Sequence, residues 1–432
     1  TWQVVDSDPL NRRFTSDSVM DISGPMAGTS HLITPFSLDG TQTRGTNNNC
    51  GNGYTPWGTY LTCEENWPNI FVHDGTMTEE QERIGFRSSS RYGWETAAGD
   101  ASEVDSEFAR FNITPTGVDA TQDYRNEGST FGYIVEIDPF DTSRRAVKRT
   151  ALGRFRHEGA ETTVSKEGHL VVYMGDDARF DYQYKYVSDG KVSDDPAANS
   201  RLLSDGVLYA ARFEDDGTLQ WLPLVHGHGP LTAKNGFASQ ADVLIDARLA
   251  ADALGATPMD RPEDAQPRGD GTAYVMLTNN SRRTEDQLDA ANPRAASNFG
   301  HIIEIKEAEG DHAATQGHWS ILVQCGDPRL AEVGAQWNPE TSESGWFGSP
   351  DNCAFDAAGR LWVSTDQGSK WGKTGKSDGL YGLETEGALR GHSKLFFRCP
   401  VGGELCGPYF TEDGESLFLA VQHPGTDGTK AL

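Results

Sequence analysis

Four consecutive residues, Cys63-Glu64-Glu65-Asn66, set a thiol beside hard oxygen donors at the end of a short alternating stretch, Thr59-Tyr60-Leu61-Thr62. A solvated turn accounts for two glutamates but gives no reason for a cysteine next to them. Thiolate suits softer or redox-active metals, whereas carboxylate suits calcium, magnesium and ferric iron. The plain alternative is a buried Cys63 beside two surface carboxylates. Further donors stand far apart in the chain, in Arg156-His157-Glu158-Gly159-Ala160-Glu161, Arg261-Pro262-Glu263-Asp264, Ser349-Pro350-Asp351-Asn352 and Glu404-Leu405-Cys406-Gly407-Pro408.

Carboxylates gathered from such loops would raise one another's pKa, and bound cations are the natural remedy. Oxygen-only positions favour calcium, and the thiol of Cys63 favours a transition metal at one edge. Arg156 and Arg261 lie two residues before Glu158 and Glu263. Each suits an ordinary ion pair; in a metal-lined pocket a fixed guanidinium fork suits a phosphate or carboxylate group. Metals plus arginine around an anion point to hydrolytic phosphoryl transfer. Asp176-Asp177, followed by Arg179-Phe180-Asp181-Tyr182, reads equally as calcium ligands or as a solvated turn. His157, His226, His228 and His423 are lone loop histidines, a class that more often does not ligate. No Gly-x-Ser-x-Gly, His-Glu-x-x-His or P-loop occurs, so a serine nucleophile has no support.

The elements that must position these groups are strands. Residues 170–174 run into Gly175-Asp176-Asp177, residues 273–277 into Thr278-Asn279-Asn280, residues 361–364 into Thr365-Asp366-Gln367, and residues 417–420 into Val421-Gln422-His423. A second strand type recurs, because Phe131-Gly132-Tyr133-Ile134-Val135-Glu136-Ile137 closely matches Phe299-Gly300-His301-Ile302-Ile303-Glu304-Ile305. Such distant repeats fit an all-β fold, a β-propeller with long blade insertions, whose entry loops converge on a central channel. A β-sandwich with acidic turns is the alternative, but it leaves the recurring acidic offset unexplained. The sequence reads as a single domain over 1–432, with an extended, turn-rich entry before Asn49 and a surface insertion near 77–122 that is helical at 79–84.

At 432 residues the chain can bury a large core, and 48 glycines and 20 prolines fit many short strands. The mean hydropathy is −0.57. Aromatic residues at 10% argue against disorder. A net charge of −27 argues against nucleic acid as a partner. It fits a secreted protein, or one whose carboxylates are neutralised by cations. Six cysteines without C-x-x-C spacing are too few for a disulfide scaffold, although Cys399 and Cys406 could pair. No apolar run is long enough for a membrane helix, and Arg12-Arg13 is followed by no apolar segment.

Together, Asn48-Asn49-Cys50, the segments 54–66, 155–161, 175–186, 261–266 and 347–367, and the segment 403–408 resemble the PhoX-type alkaline phosphatases over nearly the whole chain. The resemblance implies a six-bladed propeller that carries Fe3+ and Ca2+ and acts on small-molecule phosphate monoesters, with a metal-bridging oxygen as nucleophile. It implies metal ligands at Cys63, Glu158, Glu263, Asp351 and Glu404, and substrate contacts from Arg261 and Asn352. It also implies export to the periplasm or the cell exterior. The family carries a twin-arginine signal and further propeller sequence before the position of Thr1. The expectation is therefore that an N-terminal part is missing here, or that this is a shortened relative. The competing readings are a calcium-dependent propeller lactonase or phosphotriesterase, which needs no thiolate, and a non-catalytic calcium-stabilised binding propeller.

Overall fold

The computed structural model describes residues 3, 5–97 and 108–425. Short, mostly antiparallel strands dominate, as the glycine- and proline-punctuated sequence requires, in sheets of six, nine, four and two strands. The nine-stranded sheet holds two up-and-down meanders. The first runs through Glu161–Val164, His169–Gly175, Gln183–Lys191 and Gly206–Phe213. The second runs through Pro262–Arg268, Thr272–Leu277, His301–Glu307 and Gln316–Gln324. Strand Thr218–Pro223 joins their outer edges, and the sheet curves until its two end strands touch, giving a nearly closed, barrel-like shape.

The period-2 alternation of the strands decides how the faces pack. Leu170, Val172 and Met174 enter one core cluster, with Ile134, Phe155 and Val243, while Val171 and Tyr173 enter a second, with Val275 and Ile303. Thr272–Leu277 is buried at every position. Its Ala273 and Val275 face the second cluster, and Tyr274 and Met276 face a third, with Leu361 and Val363. Full burial of one such aliphatic side chain is worth about 1.5–3 kcal/mol, so this serial packing carries much of the fold.

Five edge strands line one cavity of about 730 Å³: Asn49–Tyr54, Glu161–Val164, Pro262–Arg268, Pro350–Phe355 and Glu404–Phe410. Stretches that read as polar loops in the sequence, at 262–264, 350–352 and 404–408, are therefore the starts of strands. Pairing with an apolar neighbour strand overrides their polar composition.

The insertion expected near 77–122 begins with the helix Glu79–Ile84, capped reciprocally by Thr78 and Gln81. It packs inward as well as covering the surface, since Ile84, Phe86, Phe111 and Ile113 share a buried cluster with Trp67, Phe71 and Phe131. Residues 98–107 of that segment lie outside the described residues. Among the described residues no helix is long and apolar enough to cross a membrane.

Candidate metal centre

Three of the edge strands bulge where their reactive side chains sit. Pairing register shifts between Asn49 and Asn52, between Pro262 and Ala265, and between Pro350 and Cys353. These intervals hold Cys50, Glu263-Asp264 and Asp351-Asn352. A bulge re-aims side chains, and here each one aims toward the same space. Glu158 arrives from a neighbouring segment, its N–H donating to Gly175 O at 3.1 Å. Two glycines permit the approach. A Cβ on Gly51 would lie 1.9 Å from Glu158 O, and one on Gly175 would lie 2.0 Å from Glu263 O.

The convergence yields three groups of ligand atoms, each group within 4.8 Å of mutual separation: Cys50–Glu65–Glu158, Glu158–Asp177–Glu263 and Asp351–Glu404–Cys406. Glu158 belongs to two of them. Burial, with neighbouring carboxylates adding to it, pushes Glu65, Glu158, Glu263 and Asp351 well above the usual carboxylate range. Glu404 rises to about 7 through burial and the charge of Asp366. Asp177 goes the other way: burial opposes ionisation, but the Arg261 guanidinium holds it at about 2.

These residues fit cations. Among the described residues Glu263 Oε1 is buried with no hydrogen-bond partner, the nearby Arg261 Nη2 at 3.0 Å being poorly aligned with it. Asp351 is 3% exposed and accepts no hydrogen bond among the described residues. A buried carboxylate without a partner costs several kcal/mol, which a bound cation offsets. Oxygen donors with two thiols, Cys50 and Cys406, form the donor set of a hard cation beside a softer one.

Arg261 grips Asp177 with two parallel hydrogen bonds, Nε to Oδ1 at 2.6 Å and Nη2 to Oδ2 at 2.7 Å. Its φ of 60° is left-handed, a conformation costing about 1–3 kcal/mol in a non-glycine residue and found mostly at functional sites. Asn352 Oδ1 accepts from Gly407 N–H at 3.1 Å, which turns its amide nitrogen toward Glu158 Oε1 at 3.4 Å. Arg156 donates to Asn66 Oδ1 at 3.3 Å, and its Nε lacks a partner.

Glu158, Glu263, Asp351, Glu404, Arg261 and Asn352 are thus brought together. Cys63 is not, and its expected place in the ligand set is corrected. On Tyr60–Glu64 it shares a face with Leu61, and both are fully buried in the apolar cluster with Ile134 and Leu170. The next residue, Glu64, turns to the other face and pairs with buried Lys148 at 2.8 Å. Two other thiols meet the carboxylates: Cys50 Sγ donates to Glu158 Oε1 at 3.0 Å, and Cys406 Sγ to Glu404 Oε1 at 3.0 Å. Glu65 was legible in the opening motif, and Asp177 stood open between ligand and turn. Cys406 carried no signal beyond its closeness to Glu404. All six cysteines are free, so the Cys399–Cys406 pairing is not formed. His157 is a neutral core histidine, pushed down to about 3 by burial and stacked on Phe155 at 3.7 Å. His226 and His228 are exposed, and only His423 borders the site.

Residues 1–425 match the family model of alkaline phosphatase PhoX. Among solved structures, Pseudomonas fluorescens PhoX, in complex with vanadate as a transition-state analogue, matches with a TM-score of 0.89 at 37% identity. The match covers 99% of this chain and 74% of that one. A Xanthomonas campestris gluconolactonase shares 14% identity at a TM-score of 0.25, over 67% of this chain and 79% of its own. A Lactobacillus plantarum protein shares 10% at a TM-score of 0.25, over 67% and 70%. Overlaps that slight bear on neither fold nor activity. No curated protein matches significantly in sequence. The chain belongs to the PhoX alkaline phosphatases, metal-dependent enzymes that hydrolyse phosphoric monoesters.

Proposed function

We propose that this chain hydrolyses small-molecule phosphate monoesters at a mixed centre of Fe3+ and Ca2+, held by Cys50, Glu158, Glu263, Asp351 and Glu404 where five blades of a six-bladed, single-domain propeller meet. The carrying observation is that Glu158 links two ligand groups while, among the described residues, Glu263 Oε1 and Asp351 stay buried without hydrogen bonds. When bound, the cations would offset charge on the phosphoryl group and activate the attacking oxygen.

The chain's own residues do the positioning. Arg261 keeps its Nε–Nη2 edge on Asp177, and Nη1 is left to hold a phosphate oxygen. Asn352, with its carbonyl tied to Gly407 and one amide N–H given to Glu158, presents its other amide N–H to a second oxygen. Glu65 and Asp177 complete the negative wall that confines the cations. The acidic composition and the family's habit of export support a periplasmic or extracellular location.

The test is hydrolysis of p-nitrophenyl phosphate at alkaline pH before and after exhaustive chelation. Turnover should fall by at least about 10²-fold and return when iron and calcium are restored together. Activity that persists after all metal has been removed would sink this reading.

A further inference from the structure

The clustered carboxylates face a second cavity, of about 570 Å³, whose wall also carries seven arginines, an unusual concentration for a chain of net charge −27. Several of its arginines are already engaged. Arg83 pairs with Asp181 at 2.6 Å and Asp252 at 2.9 Å, Arg248 with Asp176 at 2.8 Å, and Arg261 with Asp177. Arg179 and Arg282 on that wall, and Lys370 outside the lining, differ: their side chains form no ion pair or hydrogen bond among the described residues, and Arg179 Nε is buried without a partner.

The backbone holds Arg179 beside Arg261. Arg179 forms an isolated β-bridge with Asp260, the residue before Arg261, and Phe180 N–H donates to Met259 O at 2.8 Å. Phe180 (φ 70°) and Arg261 (φ 60°) are both left-handed, so the two segments are fixed in costly conformations side by side. Lys370 ends the turn Gly368–Lys370, which follows directly on Gln367, whose N–H is anchored by Asp378 Oδ1 at 2.9 Å. Burial and the charges of Arg261 and Arg179 pull the Lys370 amine down to about 8. Cations with no carboxylate in ion-pair reach gain most from an incoming anion.

We propose that Arg179 and Lys370, with Arg282 beyond them, form a second anion subsite, so that the preferred substrates are phosphate monoesters whose leaving group bears a further carboxylate or phosphate. This rests on the reading given under Proposed function. With the transferred phosphate on Arg261 and Asn352, the inner walls are the carboxylates Glu65, Glu158, Glu263 and Asp351, which repel an anionic leaving group. The group is therefore drawn toward Arg179 on the cavity wall, with Lys370 close enough to share the charge environment of Arg179, Arg261 and Asp366. A local cationic patch is needed because the net negative charge of the molecule opposes approach of a polyanion, and screening over about 10 Å at 0.1 M salt leaves the short-range attraction in place.

The experiment compares matched substrates on the metal-loaded enzyme. One pair is 3-phosphoglycerate and glycerol 3-phosphate, which differ by a carboxylate. The other is propane-1,3-diyl bisphosphate and 3-hydroxypropyl phosphate, which differ by a phosphate. Wild type should favour the anionic member of at least one pair by about tenfold in kcat/KM, and the favoured pair identifies the source of the charge. Arg179→Gln and Lys370→Gln should each reduce that ratio severalfold through KM, and Lys370→Arg should restore it. An active wild type without preference in either pair, or variants that lose both members of a pair equally, would overturn the subsite alone. A wild type inactive on all four esters would overturn the phosphatase reading and the subsite with it.

Discussion

Arg261→Ala is expected to lower kcat/KM toward p-nitrophenyl phosphate by about 10³-fold, the scale set by removing a cationic group that stabilises a transferring phosphoryl group. The guanidinium is fixed before substrate arrives: Asp177 occupies one edge, and a strained backbone sets its direction. Arg261→Lys should recover only part of the loss, since an ammonium keeps the charge but not the planar fork. Removing Arg261 also leaves Asp177 without its counter-charge beside Glu263, so metal content must be measured on the same samples. A loss below tenfold at full metal occupancy would remove Arg261 from the phosphate site.

Cys50→Ser and Cys63→Ser are expected to separate completely. The first removes the thiol that faces Glu65 and Glu158, and should lose iron together with at least about 10²-fold of turnover. The second buries a hydroxyl in the cluster of Leu61, Ile134 and Leu170. It should keep iron and activity while costing about 1–3 kcal/mol of stability, read as a lower denaturation midpoint. Iron retained by Cys50→Ser and lost by Cys63→Ser would reverse the assignment.

That contrast shows where the sequence was readable. Glu158, Glu263, Asp351 and Glu404 stand out because an acidic residue recurs at a similar offset before an apolar strand, and Arg261 stands out by its place beside Glu263. The choice between two thiols depended on strand faces instead. Leu61 and Cys63 are two residues apart and share the buried face, a period-2 signal that the neighbouring glutamates obscured. Cys50 lies in Asn49-Cys50-Gly51-Asn52-Gly53, which has no apolar alternation. It becomes a strand only by pairing with Tyr60–Glu64, through a bulge that composition does not encode. The charged stretch near 77–122 read as surface, whereas Phe86 and Phe111 give it a core shared with Trp67. Asp177 remained ambiguous because its partner, Arg261, is 84 residues away in the chain.

The central claim is that strands remote in sequence pool their carboxylates to hold metal ions, and elemental analysis tests it most directly. Purified protein should retain both iron and calcium through dialysis. Glu158→Gln, Glu263→Gln and Asp351→Asn, each altering a different part of the chain, should each lose at least one equivalent. A metal-free protein that still turns over phosphate esters, or three variants with wild-type metal content, would contradict the account.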